Sequence, residues 1–217
     1  MTAGVPPAPL PRSRELGAAL ALCVVAFGLW YVVFRVPIAS FWLRIALASA
    51  LLASASLAAM GPRRSRLFSA RLSDAAAGLV AAPVLYGVFV LGKTVLAVIL
   101  PGSGESIAAV YAPREGASLW AVAALLLLVT GPAEETFWRG LVQHALVERL
   151  GKLGGLIAAS LLYALAHLCT LNAPLVLAAL VAGIGFGALA LLSGSLTAPV
   201  ICHSLWATLI FVLFPLS

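Results

Sequence analysis

Long apolar runs separated by short polar segments make up most of the chain. A membrane-spanning helix needs about 20 mostly apolar residues. The segments that meet this length are Leu16–Phe34, Pro37–Met60, Ala75–Leu100, Ser118–Leu146, Leu153–Thr170, Pro174–Leu192 and Leu196–Leu216. The third contains Pro83 and Gly87, so we expect it to be kinked or split. The pattern predicts an all-α integral membrane protein with about seven transmembrane helices in one bundle.

Composition agrees with this pattern and divides the chain into three parts. Of the 217 residues, 63% are hydrophobic and only 9% are charged, whereas a soluble domain carries about 25% charged residues. We predict a disordered, Pro-rich tail at 1–15, transmembrane helices over 16–115 and a further group of transmembrane helices over 116–217. The net charge of +6 does not indicate nucleic acid, because the basic residues lie in short loops, as lipid-embedded helices require.

The basic loops predict the orientation in the membrane. Arginines are concentrated in the segment 61–71, and Arg149 and Lys152 lie in a later loop on the same side of a seven-span bundle. Arg12 and Arg14 precede the first span, also on that side. Because cytoplasmic loops carry the excess of Lys and Arg, we expect a cytoplasmic N-terminus. The Ala-, Leu- and Arg-rich composition further favours the inner membrane of a bacterium.

Three charged residues interrupt the fourth span, in the stretch GPAEETFWRG. Ionisable side chains inside a membrane are costly and are functional candidates by default. Glu135 and Arg139 are four residues apart, so they share a helix face and can pair. Glu134 points about 100° away and has no partner on its own helix, so it is the candidate general base. The alternative is that all three lie in a wetted loop at the membrane edge.

Two histidines in later spans could reach the same depth as Glu134. At about 1.5 Å per residue, Glu134 lies about 24 Å from the outer start of span four, His167 about 20 Å from the cytoplasmic side, and His203 about 11 Å from that side. Each histidine alone could be a hydrogen-bonded core residue. Together with an unpaired glutamate, they predict one cavity with catalytic chemistry. His144 points elsewhere and is expected to be structural.

The sequence lacks the residue patterns that other intramembrane protease mechanisms require. The chain has no HExxH helix, which disfavours a zincin-like metalloprotease. Asp74 is its single aspartate, so a two-aspartate protease cannot form within one chain. None of its Gly/Ser turns has the Gly-x-Ser-Gly context of a rhomboid-like nucleophile. Glutamate and histidine are therefore the candidate catalytic groups.

The motifs EETFWR, YALAH and GSLTAPVICHSLW together resemble those of the CPBP intramembrane proteases. This family contains the type II CAAX prenyl endopeptidases and the bacteriocin-processing and immunity proteins, also called Abi. The resemblance covers roughly 118–216 and implies that 116–217 is the catalytic core. It implies that Glu134 activates water, that Glu135 and Arg139 form a supporting pair, and that His167 and His203 complete the site and stabilise the oxyanion.

One position departs from the family pattern. The family commonly has an asparagine one helical turn after the last histidine, and here that position is Ala207. Loss of one oxyanion donor typically lowers the rate about 10²–10³-fold. Ser204 points elsewhere, so Thr208 is the predicted replacement donor.

These observations predict an intramembrane endopeptidase that cleaves a membrane-anchored peptide or protein precursor. The alternative is a non-catalytic immunity or assembly protein of the same fold, which Ala207 favours. A proton-coupled transporter ranks lower, because the spans show no internal repeat. A metal-free mechanism is preferred over a divalent metal such as Zn²⁺, whose ligands would be Glu134, His167 and His203.

Overall fold

The chain forms an all-α membrane bundle, which confirms the predicted fold class. The computed structural model describes residues 12–68 and 71–216. Within them, the main helices outside the fourth and fifth spans are α1 (Arg12–Arg35), α2 (Phe41–Met60), α3 (Leu72–Ile99), α4 (Ser103–Ala109), α7 (Ala173–Ser193) and α8 (Thr197–Thr208). Single turns of 3₁₀ helix occur at Gly61–Arg66, Ala112–Arg114 and Leu168–Thr170. In this described part of the chain, five helical runs are long and apolar enough to cross a membrane, and Thr197–Leu213 is a shorter apolar one.

The predicted fourth and fifth spans lie in one helical run, Leu119–Thr170. The run turns at Gly151, whose φ of 75° and ψ of 172° are not helical and suit glycine, which lacks a Cβ. We call 119–150 helix α5 and 152–166 helix α6. Because Gly151 reverses the chain direction between two long helices, the bundle still has seven spans when α8 and its last turn are included.

The structure differs from the sequence prediction in three local features. α1 begins at Arg12, so residues 12–15 are helical and not part of a tail, while residues 1–11 lie outside the described residues. The predicted split of the third span does not occur, because α3 continues through Pro83; neighbouring helices allow proline within membrane helices. The short helix α4 was not predicted, since seven residues are too few to give a periodic pattern.

One end of the bundle is formed by the connections α1–α2, α3–α5 and α6–α7. Two hydrogen bonds link them. Trp42 Nε1 donates to Pro113 O at 2.8 Å, and Asn172 Nδ2 donates to Ser106 O at 2.6 Å. We call this the α4 end.

The opposite end carries the arginines of segment 61–71, and we call it the arginine-rich end. Leu196 N donates to Leu67 O at 2.7 Å, and Ser195 Oγ donates to Asp74 Oδ2 at 2.9 Å. Arg63 donates to Gly140 O at 2.9 Å and forms an ion pair with Glu15. These contacts hold the starts of α3 and α8 against α5.

The middle of α5 is wider than a regular α-helix. Hydrogen bonds to the fifth preceding residue form the segments Leu126–Thr130 and Thr136–Gln143, on either side of an α-helical turn at Gly131–Glu135. Pro132 explains part of this, because its ring lacks an N–H and clashes with the carbonyl four residues back. Such wide turns are frequent at functional sites.

Glycines bring the other helices close to the site. A Cβ on Gly78 of α3 would lie 2.6 Å from Ala198 O on α8. A Cβ on Gly183 of α7 would lie 3.2 Å from Ser160 Cα on α6. The outward faces expose long apolar side chains such as Leu91, 64% exposed, as a lipid-facing surface requires.

Candidate active site

Glu134 lies on the narrow α-helical turn of α5, inside the bundle and 6% exposed. The hydroxyl of Tyr163, on α6, donates to Glu134 Oε2 at 3.0 Å. Among the described residues, no hydrogen bond reaches Oε1, and Glu134 lines a cavity. One carboxylate oxygen is therefore positioned by tyrosine, and the other is available to a water molecule.

Glu135 connects two cationic or ionisable partners. Arg139 Nη1 donates to Glu135 Oε1 at 2.9 Å, as the spacing of four residues predicts. His203 Nδ1, on α8, lies 2.7 Å from the same oxygen. A carboxylate paired with arginine is an acceptor, so Nδ1 of His203 carries the hydrogen. His203 lines the same cavity as Glu134, and its other ring nitrogen is Nε2.

Aromatic rings and a glycine carbonyl complete the surroundings of this pair. The ring of His203 stacks on Phe186 with centroids 4.5 Å apart. The Arg139 guanidinium lies 4.9 Å from the Tyr163 ring centroid, and its Nη2 donates to Gly183 O at 3.2 Å. Gly183, which allows α7 to approach α6 closely, therefore also provides a carbonyl that binds the site arginine.

His167 has both ring nitrogens engaged. Nδ1 lies 2.9 Å from the carbonyl oxygen of Tyr163, and the indole N–H of Trp30 donates to Nε2 at 3.3 Å. A carbonyl only accepts and an indole N–H only donates, so these partners define a neutral ring with its hydrogen on Nδ1. The oxyanion role that the family resemblance implies for His167 stays a prediction.

A cavity of about 450 Å³ connects these groups, and we call it the site cavity. Its inner wall contains Thr130, Glu134, Tyr163, His167, His203 and Ala207. Its other wall contains residues of the α4 end, among them Trp42, Arg44, Pro113 and Asn172. Because residues of the site and residues of the α4 end line the same cavity, the cavity extends from the site toward the α4 end. Arg44 also donates to Val32 O at 3.2 Å.

The remaining predicted residues lie around the site without entering it. The hydroxyl of Thr208 donates to Ser204 O at 2.8 Å, and Thr208 is not part of the cavity lining. Ser204 Oγ donates to Leu127 O at 3.2 Å. His144 lies 3.6 Å from Glu15 near the arginine-rich end. Outside the predicted set, Lys93 on α3 borders a second, almost wholly apolar cavity of about 460 Å³.

Four residues of the site were not assigned a role from the sequence: Trp30, Thr130, Tyr163 and Phe186. Tyr163 could have been found, since it is the aromatic residue of YALAH, four positions before His167. Thr130 precedes Glu134 by four positions on the same helix. No pattern within α1 or α7 distinguishes Trp30 or Phe186 from ordinary core aromatics, so only their packing reveals them.

The donor set does not fit a metal ion. Within residues 12–68 and 71–216, no group of three His, Cys, Asp or Glu side chains is arranged to hold one. His167, one of the three predicted ligands, already uses Nε2 to accept from the indole N–H of Trp30. We therefore derive no step through a metal.

Comparison with known proteins yields one match. Residues 116–209 match the family described as type II CAAX prenyl endopeptidase Rce1-like. The matched segment contains Glu134, Glu135, Arg139, His167 and His203, and the match confirms the predicted family resemblance. No curated protein and no solved structure matches the chain. The family supports an intramembrane protease of the CAAX type acting on a peptide or protein.

Proposed function

We propose that this chain, part of which resembles the type II CAAX prenyl endopeptidase Rce1-like family, is an intramembrane endopeptidase in which Glu134 activates water to cleave a membrane-anchored peptide or protein precursor. One observation carries the proposal. Glu134 is a buried carboxylate that faces the site cavity, with one oxygen held by Tyr163 and the other without a described partner. A neighbouring carboxylate, Glu135, is paired with Arg139, so the two glutamates have different environments.

The proposed reaction is a hydrolysis with balanced proton transfer. A water molecule in the site cavity gives a proton to Glu134 Oε1 while its oxygen bonds to the carbonyl carbon of the scissile peptide. The carbonyl electron pair moves onto the oxygen, which becomes an oxyanion. When the C–N bond breaks, the proton passes from Glu134 to the leaving amine, and a new carboxyl group remains. General base catalysis by a positioned carboxylate typically contributes about 10²–10⁴-fold.

His203 and His167 support this reaction differently. With hydrogens on both ring nitrogens, His203 donates through Nδ1 to Glu135 and through Nε2 to the oxyanion. His167 is held by Trp30 and by the carbonyl of Tyr163. In this form its Nε2 is an acceptor, so we propose that His167 positions Tyr163, which in turn holds Glu134. An oxyanion role for His167 requires the other tautomer.

The proposed orientation places the N-terminus in the cytoplasm and the α4 end outside. The basic loops of the arginine-rich end support it through the positive-inside rule. Since the site cavity extends to the α4 end, the scissile bond would be reached from the extracytoplasmic half of the membrane. Substrates of this kind are membrane-anchored precursors with a segment exposed on that side.

The test compares the peptide termini in membranes from cells that carry the wild-type chain, Glu134→Gln or Glu105→Gln at matched abundance. Glu105 lies on α4 and is exposed, so its variant controls for loss of a glutamate. We expect specific new termini in wild type and Glu105→Gln that are absent in Glu134→Gln, because a carboxamide cannot accept the proton of water.

The same comparison distinguishes the second candidate function. Ala207 lines the site cavity and lacks the side-chain amide of the asparagine that the family commonly has there. This difference favours a non-catalytic immunity or assembly protein. Identical termini in all three membranes, together with a peptide partner retained by Glu134→Gln, would replace the protease proposal with that function.

A further inference from the structure

The hydroxyl of Thr130 is a buried donor without a partner. Thr130 is 5% exposed, and no described group forms a hydrogen bond with its Oγ1. Leaving a buried hydroxyl unpaired costs free energy, so such a group needs an explanation. A ligand or reacting group that appears only during function is one such explanation.

The hydroxyl of Thr130 does not form the hydrogen bond that is usual for threonine in a helix. Threonine there commonly donates to the carbonyl four residues back, as Thr136 does to Pro132 O at 2.7 Å. For Thr130 that carbonyl belongs to Leu126. In the wide turn of α5, Leu126 O accepts from the N–H of Gly131 and forms no hydrogen bond with the Thr130 hydroxyl.

The location of Thr130 is the second, independent observation. It lies one helical turn before Glu134, on the same side of α5, and it lines the site cavity together with Glu134, His203 and Ala207. α8 packs against the segment of α5 that ends at Thr130. Thr130 is therefore part of the cavity wall beside Glu134, where the reaction would take place.

The site residues described so far do not supply such a donor in their present hydrogen-bonded state. Tyr163 donates to Glu134, Nε2 of His167 is an acceptor, and Ala207 has no polar group. His203 can donate into the cavity only when it carries a second proton. A stable neutral donor for the oxyanion is therefore missing from the residues assigned so far.

We propose that Thr130 is a further catalytic residue, whose hydroxyl donates a hydrogen bond to the oxyanion of the tetrahedral intermediate. This inference rests on the proposed function. The hydrogen bond forms as the carbonyl electron pair moves onto oxygen, and it is lost when the C–N bond breaks, so no proton is transferred to or from Thr130. Thr130 thereby supplies the donor absent at Ala207.

The test measures the initial rate at which a Glu134-dependent terminus forms, by quantitative mass spectrometry after induction. Thr130→Val removes the hydroxyl at nearly constant shape and should lower the rate by about 10²–10³-fold, the range typical of one lost oxyanion donor. Thr130→Ser should retain most activity. Thr208→Val is the matched control, because the hydroxyl of Thr208 is bonded to Ser204 O, and its rate should stay near wild type.

Two further variants sharpen the result. Ala207→Asn in the Thr130→Val background should restore part of the rate, since the amide offers a donor from α8. Trp206→Phe tests a competing donor, because Trp206 Nε1 is also buried without a partner and the residue lines the same cavity. Loss of rate in Trp206→Phe with full activity in Thr130→Val would overturn the inference and favour the indole.

A stability measurement separates catalysis from folding. Thr130→Val should keep or raise the unfolding temperature in detergent, because it removes an unpaired buried hydroxyl. A clear decrease would give the hydroxyl a structural role and overturn the inference. Wild-type rate in Thr130→Val would overturn this inference alone, whereas the absence of any Glu134-dependent terminus would overturn the proposed function and this inference with it.

Discussion

At the scale of single residues, the site depends on how one buried carboxylate is neutralised. Glu135 is fully buried and accepts from both Arg139 and His203 at one oxygen. Taking a charge out of water costs several kcal/mol, and only a close partner with good geometry offsets this cost. Arg139 therefore makes it possible for Glu135 to orient His203 inside an apolar bundle.

Replacing Arg139 alone should lower the free energy of unfolding more than replacing Glu135 and Arg139 together. We expect Arg139→Gln to lower the free energy of unfolding by about 3–5 kcal/mol, because Glu135 is left as an uncompensated buried charge. The free energy of unfolding of the double variant Glu135→Gln/Arg139→Gln should fall by less. Reversible unfolding in mixed detergent micelles measures both values. A double variant less stable than Arg139→Gln would show that charge burial is not the dominant contribution.

At the scale of elements, the approach of α3 to α8 determines where His203 lies. A Cβ on Gly78 would stand 2.6 Å from Ala198 O and 2.8 Å from Ile201 Cβ, both on α8. Backbone atoms cannot move aside as a flexible side chain can. Gly78 therefore allows α8 to lie where His203 meets Glu135 on α5.

Gly78→Ala should push these helices apart. We expect a loss of about 1–3 kcal/mol in the free energy of unfolding, as overpacked cores show, and a parallel loss of Glu134-dependent cleavage because α8 carries His203. Gly87→Ala is the control on the same helix, since a Cβ there meets nothing within 4 Å, and its effect should stay within about 0.5 kcal/mol. Equal stability of the two variants would contradict this account of the packing.

At the scale of the whole molecule, the site cavity and the basic loops lie at opposite ends. Arg63 and its neighbours occupy the arginine-rich end, whereas the cavity reaches Trp42 and Pro113 at the α4 end. If basic loops are cytoplasmic, substrate enters from the other side. The side of entry limits which precursors the protein can cleave.

Cysteine labelling measures this orientation directly. Cys23 and Cys202 are buried and Cys169 is partly exposed, so Cys169→Ala provides the background. In intact cells, a membrane-impermeant maleimide should label Glu115→Cys at the α4 end and spare Ser65→Cys until the membrane is permeabilised. The reverse labelling would place the cavity mouth in the cytoplasm.

Much of the fold and part of the site could be predicted from the sequence because they depend on local physics. Apolar length predicts the spans, and the four-residue spacing of Glu135 and Arg139 predicts their ion pair. The wide turns of α5 and the reversal at Gly151 could not be located this way. They arise from backbone hydrogen bonds that shift among neighbouring acceptors, and apolar periodicity carries no signal of that shift.

The amino-acid sequence alone was enough to indicate a membrane bundle, a family resemblance over part of the chain, and the ionisable residues that the bilayer makes costly. Tertiary structure alone decided how those residues are connected. It showed that Tyr163 holds Glu134, that Trp30 and a backbone carbonyl define the hydrogen on His167, and that Thr130 faces the site cavity while Thr208 does not. These relations join residues on different helices, so they depend on crossing geometry and close approach, which no single segment encodes.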